Sequence, residues 1–306
     1  MLTLVDVLEA LTGLRPVINP MVITEAAIDS RQVIPGGLFV AIPGERVDGH
    51  NYVAQAFRAG AVVALIEHEL AEPIGTLLDV RSGRWNGLDG QVEAPVCLLV
   101  ENTIQALQQI AAFWRRKLNL RVIGVTGSVG KSTTKEAIAQ VLSQRYKTLK
   151  SLANLNNEIG LPLNVLRLTP GHQYAVLEMG FYVPGEIAQL CEIALPQVGV
   201  LNNIGTVHAE RAGSQETIAL GKGELVEALP PAPQGIAILN YDDPFIRPMN
   251  SRTQAQVFYY GLDPAADLWA DKVEGLGLEG IRLRLHHRQE TLFVRVPMIG
   301  RHSVHT

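Results

Sequence analysis

The sequence is poor in the features that would tie it to a specialised environment. It has two cysteines in 306 residues, Cys97 and Cys191, each set in apolar sequence, so buried free thiols are expected rather than a disulfide framework. No apolar stretch approaches the roughly 20 residues that span a bilayer, so no membrane insertion is expected. No basic run interrupts a formal net charge of −4, which removes the electrostatic footprint of a nucleic-acid binder. The N-terminal stretch from Met1 to Ala10 lacks the basic n-region of a signal peptide, and a cytoplasmic location is the expectation. Internal repeats and low-complexity segments are missing too, as is an Asn-Lys-x-Asp segment of the kind that reads guanine.

What is present is ordinary globular composition, 47% hydrophobic and 18% charged, at a length that suits about two domains. Leu4, Val7, Leu8 and Leu11 lie on one side of a helix expected over 3–12. A turn, a strand at 38–42, a helical stretch near 51–59 and a buried strand at 61–66 complete a small α/β module. The stretch 81–95 is polar, glycine-rich and aperiodic, and the expected domain boundary lies there, giving domains 1–94 and 95–306. A strand at 96–100 and a helix at 103–117 follow. Beyond them, strands at 121–126, 145–150, 174–178, 197–202 and 235–239 alternate with helices near 131–143, 159–167, 184–194 and 214–229. Such alternation predicts a mainly parallel sheet covered by helices. Residues 281–285 and 292–296 alternate strictly between apolar and polar, as antiparallel strands with one wet face do.

One stretch organises the rest: Val122-Ile123-Gly124-Val125-Thr126-Gly127-Ser128-Val129-Gly130-Lys131-Ser132-Thr133. An apolar strand runs into a glycine turn, and Gly-Lys-Ser opens a helix. Such a loop lets backbone N–H groups converge on phosphate oxygens at a helix N-terminus, with Lys131 adding a full charge and Ser132 a hydroxyl for nucleotide-bound Mg²⁺. The usual spacing G-x-x-x-x-G-K-[ST] requires a glycine at position 125, where this chain has valine. The loop is therefore a variant, with Gly124 and Gly127 on either side of that slot.

The other strand ends of this half also carry polar residues, on the edge where open α/β sheets gather ligands. Strand 174–178 ends in Glu178-Met179-Gly180, strand 197–202 leads to Asn202-Asn203-Ile204-Gly205 and His208, and strand 235–239 leads to Asn240-Tyr241-Asp242-Asp243. Singly, Glu178 reads equally as a loop acid, and His208 and Asn240 as turn residues. Together they suit a nucleotide-and-metal site. Ser30 and Arg31, in the first module, read as turn residues whose donors also suit a phosphate or uracil edge. Lys222 shares a helical stripe with Ile218, Leu225 and Leu229; by spacing alone it snorkels to solvent, and the alternative is a dry site where its amine turns neutral and can take up CO₂ as a carbamate.

In combination these segments resemble the Mur ligase family. Thr126 to Thr133 is similar to its ATP loop, which tolerates the shortened glycine spacing. Asn154 to Pro162, Leu177 to Gly180, Asn202 to Gly205 and Lys222-Gly223-Glu224 are similar to the branch that adds D-alanyl-D-alanine to UDP-N-acetylmuramoyl-tripeptide. Asp29-Ser30-Arg31, Pro35 to Ala41 and Asp48-Gly49-His50 look like its UDP-sugar module. The resemblance implies a small N-terminal α/β substrate domain followed by a P-loop ATPase-like domain, with ATP and Mg²⁺ as cofactors and the two peptides as substrates. It implies that Gly127, Ser128, Val129, Gly130, Lys131, Ser132 and Thr133 hold ATP phosphates, with Asn240 by the adenine and Asn157 near the reacting groups. Glu178, His208 and Lys222, the last as a carbamate, are implied metal ligands beside Ser132, and Ser30 and Arg31 implied contacts to uridine diphosphate.

Val129 stands where the family often has asparagine or serine, Ser132 where threonine is usual, and Ser303 where asparagine is common. In the family, the segment around Gly300 leads into a third, Rossmann-like domain. The expectation is that this chain lacks it, acts as a monomer, and by itself binds nucleotide and UDP-substrate without turnover. The rival readings are another amino-acid-adding Mur ligase, a folylpolyglutamate synthase-like ligase, and a P-loop GTPase or kinase.

Overall fold

Short aliphatic runs, buried at nearly every position, make the central strands of the sheets. The computed structural model describes residues 1–44, 47–81, 89–205, 214–298 and 300–305. Its chain divides into two units, Met1–Asn119 with Glu158–Gly171 and Leu120–Asn157 with His172–Thr306.

The first unit opens with α1 (Leu4–Thr12). Thr3 and Asp6 cap it reciprocally, Asp6 N donating to Thr3 Oγ1 at 3.3 Å and Thr3 N to Asp6 Oδ2 at 3.0 Å. After β1 (Val17–Ile18), a five-stranded parallel sheet forms in the order β2 (Ala26–Ala27), β3 (Leu38–Val40), β4 (Val63–Ile66), β7 (Val96–Leu99), β5 (Thr76–Asp79), while β6 (Asp89–Gly90) pairs with β1. Strands β3, β4 and β7 are buried at every residue, the pattern of a parallel sheet covered on both faces. Helix α2 (Val53–Arg58) contributes Val53 and Ala56 to the core around Phe39 and Ile66. Helix α3 (Thr103–Arg116) is capped by Asn102, whose Oδ1 accepts from Gln105 N at 2.8 Å.

The unit division falls elsewhere than the 94/95 boundary read from composition. β7 pairs along its whole length with β4, from Val63↔Val96 to Ile66↔Leu99, so an apolar strand beyond the polar stretch completes the first sheet.

In the second unit, β8 (Arg121–Thr126) runs into α4 (Lys131–Ser143) and β9 (Thr148–Lys150). The chain then returns to the first unit for α5 (Gly160–Leu166), which packs on α3; Trp114 Nε1 donates to Leu168 O at 2.9 Å just beyond it. Next come β10 (Tyr174–Glu178), α6 (Glu186–Ala194), β11 (Val198–Leu201), α7 (Gln215–Glu227), β12 (Ile236–Asn240), β13 (Gln256–Gly261), β14 (Leu268–Gly275), β15 (Ile281–His287) and β16 (Glu290–Val296). They form one sheet in the order β9-β10-β8-β11-β12-β13-β14-β15-β16. Pairing is parallel as far as β14 and antiparallel from β14 to β16. As the alternation predicted, Ile281 and Leu283 point into a small core with Ala270, while Arg282 is exposed and half-buried Arg284 pairs with Asp271.

Strand β8 sits between β10 and β11, so connections leave it toward both edges of the sheet. Its carboxyl end is the switch point where an open α/β sheet opens a crevice.

Candidate nucleotide site

The glycine loop occupies that point. Gly124 belongs to the strand: a Cβ there would meet Leu225 Cδ1 at 2.9 Å and Met179 Sδ at 3.2 Å, and Val125 is fully buried beside it. The bend starts at Gly127 and ends at Gly130, whose φ of 84° no β-carbon favours and which serves as N-cap of α4. The valine at position 125 is thus a core residue, and the shortened spacing is a strand one residue longer. The first N–H groups of the 13-residue α4 have no carbonyl in their own helix and face the loop side, as an anion site requires.

The loop is held from the end of β11. Ser128 N donates to Asn203 O at 2.9 Å, Val129 N to Asn203 Oδ1 at 2.9 Å, and Asn203 Nδ2 back to Val129 O at 2.9 Å. Gly205 N donates to Ser128 Oγ at 2.8 Å. Ile204 N in turn donates to Asp243 Oδ2 at 2.8 Å, so the loop after β12 braces the one after β11.

Two lysines converge on one loop carbonyl. Lys131 Nζ donates to Gly127 O at 2.9 Å and Lys222 Nζ to the same oxygen at 3.1 Å. Lys222 is 1% exposed, so it is held in a dry site and does not snorkel. Burial, reinforced by the like charge of Lys131, pulls its pKa down to about 7, and a large fraction of neutral amine exists at neutral pH. Burial also lowers the Lys131 pKa, with the Glu178 charge opposing that shift. The glycines beside Lys222 explain the burial. A Cβ at Gly221 would lie 1.9 Å from Phe181 Cε2 and one at Gly223 2.0 Å from Arg252 Nη1, so Phe181 and Arg252 cross a helix face stripped to its backbone. The Phe181 ring lies 5.1 Å from Lys222 Nζ.

Glu178, 2% exposed, closes β10. Its Oε2 accepts from Ser132 Oγ at 2.8 Å, its Oε1 from Asn156 Nδ2 at 2.9 Å, and its N–H donates to Ser151 Oγ at 2.9 Å. A hydroxyl and a carboxylate in contact at a helix start offer oxygen donors of the kind that Mg²⁺ takes. Asn202 adds a buried acceptor: its Nδ2 donates to Thr134 Oγ1 at 2.7 Å, while its Oδ1 has no partner among the described residues.

The remaining expected residues fare differently. Half-buried Asn157 follows Asn156, and it is Asn156 whose amide reaches Glu178 and whose carbonyl accepts from Gly180 N at 2.8 Å. Asn240 is buried; its Nδ2 donates to Asn202 O at 2.8 Å and its Oδ1 accepts from Asp242 N at 3.0 Å, so its amide shapes the strand ends. His208 lies outside the described residues. Sequence reasoning missed Asn203, Asn156 and Lys135, whose roles depend on partners distant along the chain.

In the first unit, Ser30 and Arg31 border a cavity of about 460 Å³ that Phe39, Tyr52 and Gln55 also line. Ser30 is buried. Arg31 is exposed and grips Asp29 in a two-point pair, Nε to Oδ1 at 2.9 Å and Nη2 to Oδ2 at 2.7 Å, which holds the Asp29 pKa down at about 2. The nearby Asp48-Gly49-His50 segment is a structural knot. His50 Nδ1 meets Asp48 Oδ1 at 2.6 Å, its Nε2 accepts from Glu67 N at 2.8 Å, and a Cβ at Gly49 would lie 2.7 Å from Ile42 N. His68 joins Asp48 and His50 in a group of metal-ligand type, but both His50 nitrogens already have protein partners.

Fold and loop define the class, a P-loop-type α/β unit joined to a smaller parallel α/β unit. The family model described as the Mur ligase middle domain matches residues 125–305, and that described as the Mur ligase family catalytic domain matches residues 22–115. The chain belongs to the Mur ligase family. It is 39% identical over 264 residues to the UDP-N-acetylmuramoyl-tripeptide–D-alanyl-D-alanine ligase of Synechocystis sp., covering 86% of this chain and 54% of that protein. To the ligase of the same name from Bacillus subtilis it is 36% identical over 289 residues, covering 94% and 58%. MurF from Acinetobacter baumannii superposes with a TM-score of 0.80 at 32% identity over 98% of this chain and 62% of that one. MurF from Thermotoga maritima, solved in complex with ADP, gives 0.75 at 28% identity over 97% and 61%. The chain spans about half the length of the curated relatives it matches.

Proposed function

We propose that this chain carries the ATP and UDP-substrate sites of a cytoplasmic, monomeric ligase that joins D-alanyl-D-alanine to UDP-N-acetylmuramoyl-tripeptide in peptidoglycan precursor synthesis. The observation that carries the reading is half-buried Lys131 and fully buried Lys222 on one loop carbonyl, with the Ser132–Glu178 contact in the same unit at the sheet's switch point.

The reaction is amide formation through an acyl phosphate. The tripeptide's terminal carboxylate attacks the γ-phosphorus of ATP and ADP leaves; the amine of D-alanyl-D-alanine then attacks the activated carbonyl, loses a proton, and phosphate departs. An anion attacking an anion needs concentrated positive charge. Lys131 supplies it on the phosphates, while the N–H groups of the loop and of the start of α4 hold them. Mg²⁺, when bound, offsets the remaining negative charge on the transferring phosphoryl group. Ser132, Glu178 and His208 would hold it together with Lys222, whose neutral amine takes up CO₂ and releases a proton to become a carbamate. Ser30 and Arg31 bind the uridine diphosphate end, Asn157 lies near the reacting groups, and Asn240 shapes the nucleotide pocket.

Titration calorimetry with ADP, Mg²⁺ and UDP-N-acetylmuramoyl-tripeptide tests the two binding sites, and phosphate release in the presence of both peptides tests turnover. Binding of ADP and the UDP-tripeptide is expected. Binding of neither, or phosphate release stimulated by free glutamate in place of D-alanyl-D-alanine, overturns the reading.

A further inference from the structure

Lys135 lies one turn beyond Lys131 on α4, and yet it is 2% exposed. A lysine is rarely buried without a specific partner. Its Nζ donates to Ser151 O at 3.0 Å and lies 3.9 Å from Glu178 Oε2, the same oxygen that accepts from Ser132. Ser151 joins the two groups a second time, since its Oγ accepts from Glu178 N. The third neighbour, Glu136 Oε1 at 3.5 Å, belongs to a half-exposed side chain already paired with Lys150. Glu178 therefore has Asn156 on one oxygen, and Ser132 and the Lys135 ammonium on the other. A carboxylate this dry is costly without a fixed cation nearby.

We propose that Lys135 is a positioning residue: its ammonium, anchored on the Ser151 carbonyl, fixes the Glu178 carboxylate in the orientation from which it receives the metal of a metal–nucleotide complex. The proposal rests on the reading of Glu178 as a metal ligand. It separates two lysines of one helix by task, Lys131 acting on phosphate and Lys135 acting through Glu178. Partners that orient metal ligands commonly change metal affinity by about 10- to 100-fold when removed.

The first measurement is a double-mutant cycle, Lys135→Met with Glu178→Gln, read as the urea unfolding midpoint in EDTA. Each single variant is expected to destabilise, and the double variant by clearly less than the sum, since it leaves no buried charge unpartnered. Should Lys135→Met alone fail to fold, recovery of folded protein on adding Glu178→Gln is the expected result. Strict additivity, or no recovery, overturns the pairing. The second is ADP affinity by calorimetry with Mg²⁺ and with EDTA. In Lys135→Met the gain due to Mg²⁺ should shrink about tenfold while affinity in EDTA stays within about twofold; an unchanged gain overturns the positioning role. No Mg²⁺ gain in the unsubstituted chain overturns the reading of Glu178 itself, and the proposal with it.

Discussion

The two units present their polar residues in opposite ways. At the first unit's cavity, the charged group is Arg31, whose side chain is 81% exposed and whose partner is two residues away. At the second unit's loop, the charged groups are Lys131, Lys135, Lys222 and Glu178, three of them at most 2% exposed. Their partners lie 16, 46 and 95 residues away in sequence. A local, solvated pair can change without disturbing the fold. A buried set drawn from two helices and a strand end cannot, because each charge is tolerated only through the others. Substitutions at buried Lys135, Lys222 or Glu178 should therefore strike stability and chemistry together, and one at exposed Arg31 should strike binding alone.

The largest effect is expected at Lys131. In a full-length ligase that carries this chain together with the family's third domain, Lys131→Ala removes the loop's own cation and should lower ATP turnover by at least about 100-fold in the phosphate-release assay. The cost to stability should be small, because the variant also relieves the like charge that Lys222 faces across Gly127 O. Near-normal turnover would reject the phosphate role. Next comes Phe181→Ala. Phe181 is 3% exposed and packs across Gly221, so its loss should cost about 3–5 kcal/mol in urea unfolding. Tyr52→Ala at the first unit's cavity, where the ring is 40% exposed, should cost under about 1 kcal/mol. Similar values for the two aromatics would break the contrast between the units.

A smaller effect follows from the depressed Lys222 pKa. The unfolded chain holds that proton up to about pH 10.5 and the folded chain only to about 7. Between those values the unfolded state binds more protons, so stability rises with pH, at most about 1.4 kcal/mol per unit. Above about pH 9 the thiols act in the other direction. Burial raises Cys97 to about 11 and Cys191 to about 12, so the folded state retains protons that the unfolded state loses. The clean window is pH 7 to 9. Unfolding free energies of the parent chain should climb there, and those of Lys222→Met should climb clearly less, since only the smaller part due to Lys131 remains. Parallel curves would show that the Lys222 amine is not desolvated.

Much of this arrangement could be read along the chain, and the reason is local. β8, β10 and α4 begin and end where hydrophobic periodicity and the glycine turn put them, because strand, turn and helix-start chemistry act over a few residues. What escaped depends on distant partners. Lys222 looked like a snorkelling residue on an apolar stripe; its burial comes from Phe181, forty-one positions upstream, and from glycines that admit the ring. Lys135 drew no notice within the helix over 131–143, because its partner Ser151 lies beyond that helix. The polar stretch 81–95 looked like a boundary because nothing in it shows that Val96–Leu99 will pair with Val63–Ile66. The Asn156 amide on Glu178 escaped for the same reason, since the contact depends on the loop's conformation.

The smallest expected effect on stability is at Arg31, and it sharpens the comparison most. Its bond to Asp29 is exposed and short-range, so Arg31→Ala should leave the melting temperature within about 1 °C. What it should change is UDP affinity, by about tenfold, the scale of a lost hydrogen bond to a charged group. Lys at this position would not restore it. Asp29 takes Nε and one Nη2 donor and so fixes the guanidinium plane at the cavity mouth, leaving the other donors of the fork in a set direction; an ammonium has neither the fork nor the plane. Calorimetry with UDP on the parent, Arg31→Ala and Arg31→Lys chains decides the matter. Full recovery by lysine would mean that the first unit offers UDP only charge; failure of lysine to recover affinity would mean that it offers direction, which a solvent-exposed arginine has only because Asp29 holds it.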